Sequence, residues 1–140
     1  MSYKTLFKFG SWTLIATAGI HLLSFVAPQE PANDTERQLM DLMANYKQDL
    51  GFGITRSTKD LFTFLSLCMS FLCVFAGISN LIVVKHFDND ALAAKVVTFN
   101  AVFWTVLLLP LYLLTFLPPE VCFTVAWLGF VGALVALKRR

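Results

Sequence analysis

His21 is the residue of this chain whose type and position most strongly suggest chemistry. It stands in "GIHLLSF", inside a long uncharged run near the amino terminus. Thr17 and Ser24 share its helical stripe, because residues three and four apart lie on one face of a helix. An ionisable ring inside such a run indicates a function by default. The functional interpretation makes His21 a heme or metal ligand, a proton-transfer group or a contact for a lipid or quinone head group, with Thr17 and Ser24 as further ligand-binding residues.

The interpretation that we favour for His21 is structural, as a neutral imidazole hydrogen-bonded between packed helices. A heme held by two histidines is disfavoured, because His86, the other histidine, belongs to the opposite end of the predicted helices. The sequence has no P-loop, catalytic triad, H-E-x-x-H or paired intramembrane carboxylates. We therefore predict no catalytic residue, no metal site and no cofactor.

Asn80 and Asn100 are amides placed inside two other hydrophobic runs. Each lies four residues from the inner end of its run, at Val84 and Val96, which is about 6 Å along a helix. Since a short hairpin joins these runs, equal depth predicts that the two amides pair directly. Such amides commonly link membrane helices. The alternative is a polar substrate site that faces the inner side of the membrane.

Arg56 and Lys59 are the cations nearest the start of the second hydrophobic run. They have the right charge to hold an anionic lipid head group at the membrane rim. Basic residues also anchor spans at the interface without any ligand. Both interpretations place these two side chains beside the membrane surface.

The elements that position these residues are helices that cross a membrane. The 140-residue chain is 57% hydrophobic and 14% charged, against roughly 25% charged residues in a soluble domain. About 20 apolar residues span a bilayer core as a helix, and the backbone in lipid must satisfy its own hydrogen bonds. We predict one membrane domain with spans over residues 6–27, 59–84, 91–117 and 119–137.

The predicted fold is all-α, an antiparallel four-helix transmembrane bundle. An even number of spans places both termini on one side, together with seven basic residues against four on the other. Basic residues that flank spans are retained in the cytoplasm. We therefore expect both termini to be cytoplasmic in a multi-pass protein of the cell membrane. The seven are Lys4, Lys8, Lys85, Lys95, Lys138, Arg139 and Arg140, and the four are Arg37, Lys47, Arg56 and Lys59.

The segment between the first two spans, residues 28–58, is predicted to be extracytoplasmic and to contain an amphipathic helix. Thr35 and Gln38 have capping-box spacing at its start. Ser57 and Asp60 repeat that spacing at the start of the second span, and Asp88 or Asp90 would cap the third. The apolar residues that recur at helical intervals in the loop are Leu39, Leu42, Met43, Tyr46 and Leu50.

Three stretches give the sequence a resemblance to a group of uncharacterised small bacterial membrane proteins with four spans. They are "GIHLLSF", the loop stretch "RQLMDLM", and the entry to the second span at Arg56, Ser57 and Thr58. The resemblance implies another histidine early in the second span, where this chain has "FLSLCMSF", with Cys68 and Met69 near that place. It implies a four-span membrane fold and no known activity.

The function predicted first is that of an integral membrane accessory, assembly or oligomer-forming protein that acts through helix packing and is not an enzyme. Its partners would be membrane lipids and a second copy or a larger membrane complex, and not nucleic acid. The alternative is a small membrane-embedded binding protein or oxidoreductase for an apolar ligand such as a quinone or lipid, anchored by His21. Small residues four apart, which let helices approach closely, are Thr13 and Thr17, Ser66 and Ser70, and Gly129 and Ala133.

Overall fold

Four long helices make up most of the chain. The computed structural model describes residues 1–26 and 30–139. All four long helices are long and apolar enough to cross a membrane, and the fold is all-α as predicted apart from one short hairpin. The elements are α1 (Tyr3–Leu23), α2 (Asp34–Asn45), β1 (Lys47–Asp49), β2 (Thr55–Ser57), α3 (Thr58–Val83), α4 (Asp90–Leu114) and α5 (Leu117–Lys138), with a 3-10 turn at Val84–His86 between α3 and α4.

The boundaries of the long helices differ from the predicted spans by a few residues. α1 begins before residue 6 and ends at Leu23, short of the predicted end at residue 27. That end and the start of the predicted loop at residue 28 lie outside the described residues, as does Arg140 among the seven basic residues. α4 ends at Leu114, and α5 follows after two residues.

The polar segment between α1 and α3 contains α2 and an antiparallel hairpin. Lys47 of β1 lies opposite Ser57 of β2. The connection places Gly51 at φ 87° and Gly53 at φ 75°, a backbone region that glycine adopts without steric cost. The predicted helix is therefore wrong beyond Asn45, because the chain turns back at the glycines and its backbone groups pair across the hairpin.

The cap at the start of α2 lies two residues before the predicted one. Asn33 Oδ1 accepts a hydrogen bond from the Glu36 backbone N–H at 2.9 Å, and Glu36 Oε2 accepts one from the Ala32 N–H at 2.6 Å. The predicted capping box of Thr35 and Gln38 is wrong, because the helix begins at Asp34 and its N-cap is Asn33, whose side chain accepts from the Glu36 N–H.

The starts of α3 and α4 also have side-chain caps. The predicted capping box of α3 is present, with Ser57 Oγ accepting from the Asp60 N–H and Asp60 Oδ2 accepting from the Ser57 N–H, both at 3.1 Å. α4 is capped by Asn89, whose Oδ1 accepts from the N–H three residues further on at 3.1 Å. The expectation that Asp88 or Asp90 caps this helix is wrong.

α1 packs extensively against α3 and α5, and α5 also packs against α4. Glycines bring the helix backbones together at these contacts. A Cβ atom on Gly129 would lie 2.7 Å from the backbone nitrogen of Gly10, and one on Gly77 would lie 2.8 Å from the Ser11 carbonyl oxygen. Small residues of this kind are typical of closely packed membrane helices. The small-residue pair Gly129 and Ala133 is therefore buried in a contact between helices of the same chain.

The end of the molecule that holds both termini has an aromatic core. The Phe7 ring lies 5.1 Å from the Phe87 ring and 5.4 Å from the Phe130 ring, between centroids. The Tyr3 hydroxyl donates to the Phe87 carbonyl oxygen at 3.0 Å. These contacts join the start of α1 to the turn that follows α3. We call this the terminal end, and the opposite one, beside α2, the α2 end.

The outward faces of the long helices are covered with apolar side chains. Phe71 is 64% exposed, Phe75 70% and Phe99 67%. Contiguous apolar patches of this kind are rare on soluble monomers. The faces suit hydrocarbon, in agreement with the hydropathy of the four helices.

Candidate functional site

A cavity of about 550 Å³ lies at the α2 end of the long helices. The last turns of α1, the start of α3, one face of α2 and the connection between α4 and α5 all contribute to its wall. We call it the His21 cavity. Its polar lining consists of His21, Ser24, Lys59, Thr63 and Ser66.

The most distinctive atom of the His21 cavity is the Nε2 nitrogen of His21. It is buried and has no hydrogen-bond partner among the described residues. The imidazole edge packs against the Phe25 ring at 5.6 Å between centroids. A buried polar atom without a partner costs about 1–3 kcal/mol, and such atoms need an explanation in a native protein. A bound ligand group would supply the missing partner.

Lys59 brings a positive charge to the same cavity. Its side chain is exposed, and it forms no ion pair within residues 1–26 and 30–139. The neighbouring Asp60 carboxylate is engaged in the cap of α3, where it accepts from the Ser57 N–H. No acidic residue is among the cavity-lining residues. The described wall therefore favours a group that is negatively charged or accepts hydrogen bonds.

The rest of the wall is apolar and adaptable. α2 packs against α3, which turns Met40 and Met43 toward the cavity, while Phe62 and Phe116 line it from α3 and the α4–α5 connection. Methionine side chains are flexible and fill irregular gaps. Such a wall accommodates an apolar molecule without demanding one shape.

Met40 is a lining residue that the sequence prediction missed. It lies three residues before Met43, and that spacing on a helix was the signal that could have found it. Only part of the predicted apolar face is covered, because Leu39 and Leu42 are exposed and do not line the cavity.

The structure brings together only part of the predicted binding residues. His21 and Ser24 line the cavity, and the Ser24 hydroxyl donates to the His21 carbonyl oxygen at 2.6 Å. Thr17 is buried one turn deeper and is not a lining residue, and its hydroxyl donates to the Thr13 carbonyl oxygen at 2.8 Å. Lys59, which was predicted to contact a lipid head group, also lines the cavity and adds to the predicted ligand-binding residues.

Arg56, the other residue predicted to hold a lipid head group, lies elsewhere. It is exposed on β2, and its Nη1 donates to the Thr55 carbonyl oxygen at 2.7 Å. It does not line the His21 cavity. The two cations of the predicted pair therefore face different surroundings, which makes Arg56 a useful control for Lys59.

A second concavity of about 500 Å³ lies between α3 and α4. Its wall is almost entirely apolar, and we call it the α3–α4 groove. It exists because α3 packs mainly on α1, while α4 packs mainly on α5. The lining includes Leu65, Met69, Leu72, Phe103 and Leu107.

Asn80 of α3 and Asn100 of α4 are in direct contact beyond the end of the α3–α4 groove. Both are buried, and their side-chain amides are hydrogen-bonded to each other. The pairing expected from their equal depth is therefore present in the structure. Since each amide finds its partner in the other, they form a link between helices.

The terminal end holds another cavity, of about 610 Å³. Two of its polar groups are engaged within the protein. The Lys4 ammonium donates to Asp88 Oδ1 at 2.8 Å, and the Tyr3 hydroxyl donates to the Phe87 carbonyl oxygen. The hydrogen bond and the charge of Lys4 hold the pKa of the Asp88 carboxyl below its ordinary value. This cavity lacks the unpartnered nitrogen of the His21 cavity.

No protein-family model, curated protein or solved structure matches this chain. Within the part of the chain that the structure describes, no three His, Cys, Asp or Glu side chains are grouped to hold a metal ion.

Proposed function

We propose that this chain is an integral membrane protein that binds an amphiphile, such as a lipid or quinone, in the His21 cavity. The observation that carries the proposal is the buried, unpartnered Nε2 of His21 beside a cavity that Lys59 also lines. Polar groups placed among apolar walls are typical of small-molecule sites. The polar head of the ligand would contact His21 and Lys59, and its apolar part would contact the aromatic and methionine side chains.

The proposal includes an orientation in the membrane. The start of α1 meets the end of α3 through Tyr3 and Phe87, while His21 near the end of α1 and Lys59 near the start of α3 line one cavity. This supports an antiparallel bundle with both termini on the cytoplasmic side, as the distribution of basic residues predicts. α2 and the His21 cavity would then lie at the extracytoplasmic rim of the cell membrane, in reach of lipid head groups.

An accessory role through helix packing with a second copy or another membrane protein is the second candidate. The exposed phenyl rings of Phe71 and Phe75 on α3 favour it, since another helix would cover them as well as lipid does. The small-residue pair Gly129 and Ala133, which suggested an oligomer in the sequence, is buried within the chain. Binding of an amphiphile is therefore the better supported function.

The test is native mass spectrometry of the full chain purified in a mild detergent, before and after addition of a lipid extract that contains quinone. We expect a small molecule to remain bound to the wild-type protein and to be lost from His21→Leu. His86→Leu is the matched control, because His86 is exposed at the terminal end. Wild-type protein that retains no amphiphile, or that carries only another protein chain, would contradict the proposal.

A further inference from the structure

We propose that the ligand of the His21 cavity is a long-chain fatty acid, with its carboxylate at Lys59 and His21 and its hydrocarbon chain in the α3–α4 groove. The inference rests on the proposed binding function and names the ligand class. It joins two concavities that lie on neighbouring faces of α3. Each half of the ligand follows from a different set of residues.

The carboxylate follows from the polar groups of the His21 cavity. The Lys59 ammonium can only donate hydrogen bonds, and the Thr63 and Ser66 hydroxyls can donate as well. His21 Nε2 has no partner among the described residues, and the lining residues include no carboxylate. An ammonium that donates to an anionic oxygen forms a charge-assisted hydrogen bond, which is stronger than one to a neutral acceptor. An anionic head satisfies both Lys59 and His21, whereas a quinone carbonyl would leave the lysine charge unpaired.

The position of the hydrocarbon chain follows from the lining residues on neighbouring faces of α3. Ser66 lines the His21 cavity, while Leu65 and Met69, one residue before it and three after it, line the α3–α4 groove. The groove therefore begins at the depth of Ser66, beside the His21 cavity. The groove continues along α3 to Ala76, about 10 Å beyond Met69. A chain that starts at Lys59 therefore enters the groove as it descends into the membrane.

The groove selects the shape of the ligand and the head contacts supply most of its affinity. Bilayer chains are as apolar as the groove, so transfer from one to the other has little driving force. The hydrocarbon of the bilayer cannot replace the polar contacts at Lys59 and His21. We therefore expect changes at Lys59 to affect affinity for every anionic amphiphile, and changes in the groove to affect long chains only.

A compact head fits the cavity better than a phospholipid head does. Met40, Met43 and Phe116 bound the cavity with apolar side chains. A carboxylate brings its charge to Lys59 without adding further polar groups. A glycerophosphate head carries several ester oxygens besides its charge, and each of them that meets the methionine and phenyl groups loses its hydrogen bond to water. The single groove likewise receives one hydrocarbon chain.

The head contact is tested by palmitate binding to the full chain in detergent, measured by native mass spectrometry and by calorimetry. We expect Lys59→Gln to weaken palmitate binding about tenfold, as loss of one charge-assisted hydrogen bond predicts. Lys59→Arg should retain most of the affinity. Arg56→Gln is the control, since Arg56 lies near Lys59 in sequence but outside the cavity. If Lys59→Gln binds palmitate as well as wild type does, the anionic assignment is wrong.

The groove is tested with Leu72→Trp, which places a larger side chain into it. Phe71→Trp is the control, because Phe71 is the residue before Leu72, is about equally exposed and does not line the groove. Leu72→Trp should weaken palmitate binding about tenfold and leave octanoate binding unchanged. Unchanged palmitate binding in Leu72→Trp would overturn the groove assignment. If that variant does not fold, Leu72→Phe replaces it.

Competing ligands separate this inference from the proposed function. Phosphatidylglycerol and ubiquinone are added at matched concentrations to wild-type protein loaded with palmitate. If either displaces palmitate more strongly than fatty acid itself does, the fatty-acid assignment is wrong while amphiphile binding stands. If no amphiphile binds wild-type protein, the proposed function fails as well.

Discussion

The side-chain amides of Asn80 and Asn100 are hydrogen-bonded to each other in both directions. Asn80 Nδ2 donates to Asn100 Oδ1 at 2.8 Å, and Asn100 Nδ2 donates to Asn80 Oδ1 at 3.2 Å. Asn100 Nδ2 also donates to the Val96 carbonyl oxygen at 3.0 Å. The pair links α3 to α4 at a place where both side chains are buried within the protein. It therefore sets the rotation of one helix against the other.

A double-mutant cycle at Asn80 and Asn100 should show strong coupling. Each single change to leucine strands the other amide, and membrane interhelical hydrogen bonds average about 0.6 kcal/mol and reach about 1.7 kcal/mol. The double variant should lose less free energy of unfolding than the sum of the two singles. Unfolding in mixed detergent micelles measures all four proteins. Additive losses would show that the two amides do not act together.

Gly129→Ala should destabilise the protein by about 1–3 kcal/mol, the usual cost of overpacking. The new methyl group would lie 2.7 Å from the Gly10 backbone nitrogen, and the atoms that it meets belong to the backbone rather than to a flexible side chain. Gly132→Ala on the same helix is the control, because its methyl group would lie 3.6 Å from Leu6 Cδ1, an ordinary contact. Detergent unfolding of both variants measures the difference. Equal stabilities would mean that α1 and α5 are not in close contact.

His21→Leu should leave the free energy of unfolding of ligand-free protein unchanged or raise it. The substitution removes a buried nitrogen that has no described partner and that costs about 1–3 kcal/mol where it stays unsatisfied. Asn80→Leu is the comparison, because it breaks a pair that is satisfied. Unfolding of protein stripped of lipid by detergent exchange measures both. A loss for His21→Leu as large as that for Asn80→Leu would make the imidazole a structural group.

The Lys4–Asp88 pair should contribute to stability only above acidic pH. The hydrogen bond from Lys4 Nζ, 2.8 Å from Asp88 Oδ1, and then the lysine charge lower the pKa of Asp88 from its ordinary 3.8. Because the folded pKa is the lower one, the contribution is complete above pH 3.8 and is lost as pH falls through the folded pKa.

Asp88→Asn tests this pH dependence. It should remove the part of the acid-induced loss that comes from Asp88, and salt should weaken the wild-type contribution because both side chains are partly or fully exposed. Asp41→Asn is the control, since Asp41 forms no ion pair within the described residues. Unfolding between pH 2 and 7 measures all three proteins. An acid response of Asp88→Asn identical to that of wild type would contradict the prediction.

Membrane-impermeant thiol labelling tests the proposed orientation. In intact cells, Asp41→Cys on α2 should be labelled, and Asp88→Cys at the terminal end should be labelled only after the membrane is opened. Both substitutions are made in a chain whose native cysteines, Cys68, Cys73 and Cys122, are replaced by alanine. Labelling of residue 88 but not residue 41 in intact cells would reverse the orientation.

Local sequence signals predicted some parts of the fold well and others poorly. The Ser57–Asp60 cap could be predicted because the side chains of a serine and of an acidic residue three positions later each accept a hydrogen bond from the other residue's backbone N–H. At α2 the same spacing of Thr35 and Gln38 gave a wrong prediction, because Asn33 caps the helix instead by accepting from the Glu36 N–H. The hairpin was missed because Tyr46 and Leu50 continue the helical pattern, and only cross-strand pairing reveals that they do not extend the helix.

The sequence by itself determined that four helices are long enough to cross a membrane, because the length and composition of an uncharged run suffice for that. It also placed Asn80 and Asn100 at one depth, since rise per residue is constant in a helix. Only the tertiary structure decided that His21 and Lys59 share a cavity while Thr17 and Arg56 stay outside it. The physical reason is that helix rotation depends on close backbone contacts, such as that between Gly10 and Gly129, which residue spacing alone does not specify.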